Sequence, residues 1–142
     1  MFVYADNAAT TKMSQLAIDT MLPYFENIYG NPSSLHSVGQ EAKEALENAR
    51  ETVAQCLGCE AREIYFTSGG SEADNQAIIS AARYGARKNK KHIISTAFEH
   101  HAVLHTLSKL EKEGYEITLL DVKTNHNITA QQVKDAIRED TC

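Results

Sequence analysis

Residues 63–83 read EIYFTSGGSEADNQAIISAAR. Glu63 to Thr67 form a short β-favouring run and predict a strand. Gly69 and Gly70 then interrupt the pattern. Ser71 predicts the N-cap of a helix running to about Lys88, with Asp74 three residues on in a loose capping box. A strand delivered into a helix through a glycine turn is the repeating unit of α/β folds, so this stretch sets the fold class. It also raises a chemical question. The first N–H groups of a helix have no intrahelical acceptor, and the helix dipole adds positive character there, so anions, phosphate above all, are favoured. Gly69 and Gly70 can take φ > 0 and let a ligand approach the backbone. The turn is neither G-x-G-x-x-G nor a Walker A sequence. Glu72 and Asp74 would repel a phosphate unless they point away. Two readings stand side by side: a phosphate-type cup, or a tight turn with an ordinary serine cap.

Outward from this turn the pattern repeats. Toward the N-terminus, helical spacing runs from about Ser14 to Asn27, with Pro23 predicting a kink or break. A loop rich in Gly, Asn, Pro and Ser spans 29–40. A second helix runs from about Gly39 to Leu57, with Gly58 as its stop. Toward the C-terminus, HIISTA (92–97) predicts a strand and HHAVLHTLSKLEKEG (100–114) an amphipathic helix ended by Gly114. EITLLDV (116–122) predicts another strand, and NITAQQVKDAIRED (127–140) a closing helix capped by Thr129. Strands alternating with helices predict a parallel α/β sheet with right-handed crossovers. Three strands alone would leave both sheet edges bare, so the sequence reads as truncated mid-sheet.

Composition narrows the function classes. A chain of 142 residues, 42% hydrophobic, can bury one ordinary core. A net charge of −5, with RKNKK (87–91) as the only basic run, excludes a nucleic-acid-binding face; that run reads as a solvated helix end. No apolar run is long enough to span a bilayer, and the N-terminus lacks a signal-peptide pattern, so a cytoplasmic location and no membrane partner are expected. Cys56 and Cys59 form a C-x-x-C, but no second pair completes a zinc set. They read as small core residues, and Cys142 as the end of the last helix.

Three histidines crowd TAFEHHAVLH (96–105). His101 and His105 have the i, i+4 spacing of a zinc pair, but H-E-x-x-H and a third ligand are missing, so no metal is expected. An imidazole at the rim of a sheet can stack on a planar ring or move protons near neutral pH. It is equally compatible with a helix start facing solvent. The loops DNAATT (6–11) and GNPSSLHSVG (30–39) carry the small, hydrogen-bonding residues that line sites and that also build simple turns.

Together these segments resemble one family, the cysteine desulfurases of the class V aminotransferase group of pyridoxal-phosphate enzymes. YADNAATT (4–11) resembles its D-x-x-A-T-T opening, and GNPSSLHSVG (30–39) its G-N-P-S-S-x-H-x-x-G loop. IYFTSGGSEADNQAI (64–78) resembles its F-T-S-G-(A/G)-T-E-x-(D/N)-N signature, with Ser71 for the commoner Thr, and EHHAVL (99–104) its E-H-x-A-V motif. The resemblance implies the N-terminal part of a fold-type I pyridoxal-phosphate transferase, a three-layer α/β/α fold with a mostly parallel sheet. Residues 1–14 would be an N-terminal active-site segment and 15–142 an incomplete large cofactor-binding α/β domain. Gly70 and Ser71 would bind the phosphate of pyridoxal 5′-phosphate. His100 would stack on the ring and take part in proton transfer. Asn7, Ala8 and His36 would belong to substrate-side loops. The resemblance further implies a homodimer that takes sulfur from L-cysteine, leaving L-alanine and an enzyme persulfide. That sulfur would pass to an acceptor or scaffold protein for iron–sulfur cluster or thio-cofactor assembly. The family's later residues, among them the lysine that tethers the cofactor and the cysteine that takes the sulfur, have no counterpart here, so residues 1–142 alone are expected to be inactive. Selenocysteine lyases and other class V enzymes, or a non-catalytic remnant that binds a partner, share the same N-terminal features.

Overall fold

The computed structural model describes residues 2–122 and 127–142; Met1 of the expected 1–14 segment and residues 123–126 of the expected 15–142 domain lie outside these. The chain divides into two compact units, Met1–Tyr65 and Phe66–Cys142.

The first unit holds α1 (Gln15–Glu26) and α2 (Ser37–Leu57). Ser14 caps α1, its hydroxyl accepting from the Ala17 N–H at 3.2 Å. The predicted break at Pro23 does not occur. Proline withdraws only its own N–H, and the helix closes past it with Asn27 N–H bonded to the Pro23 carbonyl at 2.9 Å. At its other end, α2 stops as expected at Gly58, which adopts φ +70 while Cys59 N–H reaches back to the Ala54 carbonyl at 3.0 Å. Cys56 beside it is exposed and Cys59 half-buried, so the core reading of the pair is corrected: α2 turns that face outward. The loop between the helices folds on itself through two glycines. A Cβ on Gly30 would sit 2.1 Å from the Val38 carbonyl oxygen, and one on Gly39 2.7 Å from the Asn31 carbonyl oxygen.

The strand predicted from Glu63 to Thr67 is not formed. Ala61–Glu63 is a 3-10 turn, stabilised by the Glu63 carboxylate accepting from the Glu60 N–H at 2.8 Å. Ile64 is extended, but its carbonyl is taken by the Arg50 guanidinium. A strand is defined by its partner's ladder, and a side chain occupies this acceptor instead.

The second unit is an α/β unit. It contains α3 (Gly70–Ala86), β1 (His92–Thr96), α4 (His101–Lys112), β2 (Glu116–Leu120) and α5 (Ala130–Ala136). The strands β1 and β2 run parallel, in register from His92 opposite Glu116 to Thr96 opposite Leu120. Parallel pairing needs a crossover, which α4 supplies. Ala82 of α3 and Leu110 of α4, each 1% exposed, form the core with Tyr115; Ile78, Ala86, Ile93 and Ile117 pack around them. A fully buried leucine of this kind contributes about 1.5–3 kcal/mol.

The closing helix is shorter than its pattern, and Cys142 is not in it. Helix α5 keeps its predicted Thr129 cap, with the Thr129 hydroxyl accepting from the Gln132 N–H at 3.2 Å. It ends at Ala136, after which Ile137 is extended. Arg138 then clasps Glu116 of β2 and Asp140, with its Nη2 2.8 Å from Glu116 Oε2 and 2.7 Å from Asp140 Oδ2. This directs Thr141 into a parallel bridge with His92. The His92 N–H bonds to the Asp140 carbonyl and the Cys142 N–H to the His92 carbonyl, each at 3.0 Å. Thr141 therefore lies on the edge of β1 away from β2. The His92 ring is wholly buried and pins all three segments, Nδ1 lying 2.8 Å from Thr141 Oγ1 and Nε2 2.8 Å from Thr118 Oγ1. The absence of a Cβ at Gly85 admits this last segment: a Cβ there would lie 2.2 Å from that of Cys142.

Candidate functional site

The glycine turn opens α3, but its cap differs from the prediction. Gly69, not Ser71, is the N-cap, and no side chain bonds the first turn from that position. Ser71 is the second helical residue. Neither Gly69 nor Gly70 uses the left-handed region: Gly69 is extended at φ 164, and Gly70 is helical. A Cβ on either would meet nothing within 4 Å, so packing among the described residues does not require glycine at either position. The backbone here is open to a ligand, and helix geometry leaves the N–H groups of Gly70, Ser71 and Glu72 without intrahelical acceptors. The first helical bond is made by Ala73, whose N–H reaches the Gly69 carbonyl at 3.1 Å.

Glu72, not Asp74, makes the reciprocal contact. Its Oε2 accepts from the Ser68 N–H at 2.7 Å and from the Ser68 hydroxyl at 2.6 Å. The carboxylate that threatened to repel an anion is thus folded back onto the turn. The Ser68 hydroxyl, and after it the Ser68 N–H, hold the Glu72 carboxyl below its ordinary value of 4.5. A depressed folded value means that the contact supports the turn fully above that pH and weakens as pH falls through the folded value. The protection of the Ser68 amide, relative to intrinsic exchange at each pH, is therefore expected to fall in acid, and Glu72→Gln to abolish that acid limb. An unchanged limb in the variant would contradict the assignment.

His100 sits at the start of α4, placed there by β1. Thr96 at the end of that strand donates to Glu99 Oε1 at 2.8 Å, and Ala97 N–H bonds to the Leu120 carbonyl at 3.0 Å, which holds the short connection. His100 is the N-cap, its Nδ1 accepting from the Ala102 N–H at 3.1 Å. An accepting Nδ1 carries no proton, so the neutral ring carries its proton on Nε2. The ring of His101 lies 5.4 Å from that of His105; among the described residues no set of three or more His, Cys, Asp or Glu is arranged to hold a metal ion.

The ends of α3 and α4 meet at a shallow groove of about 470 Å³, lined by Ser71, Asn75, His100, His101, Ala102, His105, Thr106 and Lys109. The structure therefore brings Ser71 and His100 together. Gly70, one residue earlier on the same turn, is not part of the lining. No carboxylate lines the groove, whereas a lysine, a serine hydroxyl and three imidazoles do. That donor set, with open backbone at Gly69 and Gly70, fits a phosphate-bearing planar group. Asn7 and Ala8 lie in a turn closed by Ala9 and Thr10 N–H groups on the Asp6 carbonyl, at 3.2 and 3.4 Å. His36 caps α2, its Nδ1 accepting from the Gly39 N–H at 3.3 Å. These three belong to the first unit, and the groove is built from the second. Sequence reasoning missed Asn75 and Thr106, which tie the two helix starts together. For Asn75 the signals were its place as the last residue of the quoted F-T-S-G signature and its position one turn after Ser71; Thr106 carried none.

Fold and groove define an α/β protein in which an open helix start and a histidine line one groove. The family model for aminotransferase class-V matches residues 3–142, and the chain belongs to that family. It is 49% identical over 140 residues to "Putative cysteine desulfurase IscS 1" of Bacillus subtilis (strain 168), covering 98% of this chain and 36% of that protein. A solved "NifS-like protein" superposes with TM-score 0.92 at 36% identity, covering 99% of this chain and 38% of that one. A second, "SspA in complex with cysteine", gives TM-score 0.88 at 38% identity, with 97% and 40% covered. The chain thus spans about a third of the length of its curated relatives and corresponds to their N-terminal part. The α/β class with a parallel sheet agrees with these relatives. Among the described residues, no helix is long and apolar enough to cross a membrane.

Proposed function

We propose that the intact protein is a pyridoxal-phosphate-dependent cysteine desulfurase, releasing L-alanine from L-cysteine and passing the sulfur, as a persulfide, to iron–sulfur or thio-cofactor assembly. One observation carries the reading: Ser71 at the open start of α3 and the ring of His100 line one groove, and no carboxylate is among its described lining residues. The likeness to named cysteine desulfurases supports the substrate. The Gly70 and Ser71 N–H groups and the Ser71 hydroxyl would hold the phosphate, with the α3 dipole behind them. The His100 ring would lie against the pyridine. Its Nδ1 is committed to the Ala102 N–H, so Nε2 is the atom that would give or take a proton. Bound pyridoxal phosphate supplies the electron sink for breaking the substrate C–S bond. Residues 1–14, with Asn7 and Ala8, and the His36 loop would serve the substrate side. A homodimer in the cytoplasm, with a sulfur-acceptor or scaffold partner, completes the proposal.

The test is direct. Purified intact protein given pyridoxal phosphate is expected to gain an absorption band at the border of the visible and near-ultraviolet, and to release alanine from L-cysteine. A preparation that stays colourless with added cofactor would overturn the reading. Colour with turnover of selenocysteine alone would redirect it to a lyase.

A further inference from the structure

Thr106 and Asn75 have no part in the cofactor-binding roles given above, yet their hydrogen bonds end on the backbone carbonyls of Ser71 and Ala102, in the first turns of α3 and α4. Thr106 is 3% exposed, and its hydroxyl lies 2.5 Å from Asn75 Oδ1 and 2.8 Å from the Ala102 carbonyl. One hydroxyl proton serves one acceptor at a time, and the shorter distance assigns it to Asn75. Asn75 Nδ2 donates to the Ser71 carbonyl at 2.6 Å and lies 3.5 Å from the Ala102 carbonyl. The amide cannot be turned over, because its oxygen would then face those two carbonyl oxygens. A link therefore runs from the buried side of α4 to the first turn of α3. Its second branch ends at Ala102, the residue whose N–H holds His100 Nδ1.

We propose that Asn75 and Thr106 are positioning residues, setting the separation and orientation of Ser71 and the His100 ring and hence the affinity of the groove for a phosphate-bearing pyridine. The identity of that ligand rests on the functional reading above; the link itself does not. A polar bond that only stabilised the pair of helices would alter melting and leave cofactor affinity alone. Thr106→Val keeps the shape, removes the hydroxyl and leaves Asn75 Oδ1 without its donor. Thr106→Ser restores the hydroxyl.

The experiment uses the intact apoprotein and has two readouts: amide hydrogen exchange in the first turns of α3 and α4, and the Kd of pyridoxal phosphate. Thr106→Val is expected to speed exchange over 70–75 and 101–106, leave α2 unchanged and weaken Kd about tenfold, while Thr106→Ser stays within about threefold of the parent. Asn75→Ala, which removes the donor to the Ser71 carbonyl and the acceptor for Thr106 without adding charge to the groove, is expected to act in the same direction and serves if the valine variant does not fold. Unchanged Kd and exchange would overturn the proposal, as would a lowered Tm with unchanged Kd. If the parent protein binds no pyridoxal phosphate, the functional reading fails, and exchange alone decides the link: faster exchange in Thr106→Val supports it and unchanged exchange overturns it.

Discussion

Replacing His100 by alanine in the intact protein is expected to lower alanine release from L-cysteine by about 10²–10⁴-fold, the range of a positioned proton-transfer group. His101→Ala is expected to change it by no more than about threefold, the scale of an ordinary surface substitution. The two histidines are adjacent in sequence and differ in setting. His100 is outside the helix, its ring fixed by the Ala102 N–H and its Nε2 left for chemistry. His101 is already helical, with its ring nearest that of His105. Alanine at 100 also removes an N-cap, worth about 0.5–2 kcal/mol. Loss of activity must therefore be separated from loss of structure. His100→Asn makes the separation, because asparagine caps a helix well and has no imidazole. It is expected to melt within a few degrees of the parent and to be as inactive as the alanine variant. Equal loss in His100→Ala and His101→Ala, or full activity in His100→Asn, would contradict the role given to His100.

Gly30→Ala is expected to produce the largest loss of stability of any single-methyl addition in the first unit, about 1–3 kcal/mol. The added Cβ would lie 2.1 Å from the Val38 carbonyl oxygen, 2.6 Å from its carbon and 3.0 Å from the Gly39 nitrogen. All three are backbone atoms across the loop, so no side chain can swing away. Relief requires opening the loop that sets the His36 cap on Gly39. Gly58→Ala is the control. There φ is +70 but a Cβ meets nothing within 4 Å, so the cost is conformational alone, roughly 1 kcal/mol. Denaturant midpoints at constant m-value measure both. A smaller loss at Gly30 than at Gly58 would show that the loop relaxes freely.

Much of the candidate site was legible because its chemistry is local. A candidate anion cup is suggested by a glycine turn opening a long helix, and the choice of His100 by its place beside Glu99 in the motif. What misled was non-local. Ser71 has the composition of a cap, yet the cap is Gly69, two residues earlier. Glu63 to Thr67 has strand composition, yet its Ile64 carbonyl is bound by Arg50 of the preceding helix. Cys142 follows a helical pattern, yet the Arg138 contacts to Glu116 and Asp140 draw the chain out of it.

By itself the sequence determined the α/β class and the extents of α2, α3 and α4 to within a few residues, and it marked the glycine turn and His100 as candidates that the family resemblance paired. Periodicity, caps and short motifs act within one or two helical turns, so they can be read along the chain. Only the tertiary structure decided which glycines are needed for close approach, where the Glu72 carboxylate goes, and what holds the two walls of the groove together. Those outcomes depend on atoms brought near by folding: Val38 against Gly30, Cys142 against Gly85, and the buried Thr106 hydroxyl on Asn75. Glu72 shows how narrow the margin is. A carboxylate one residue after Ser71 looks hostile to an anion, yet it is held by the Ser68 N–H and hydroxyl and is not among the residues that line the groove.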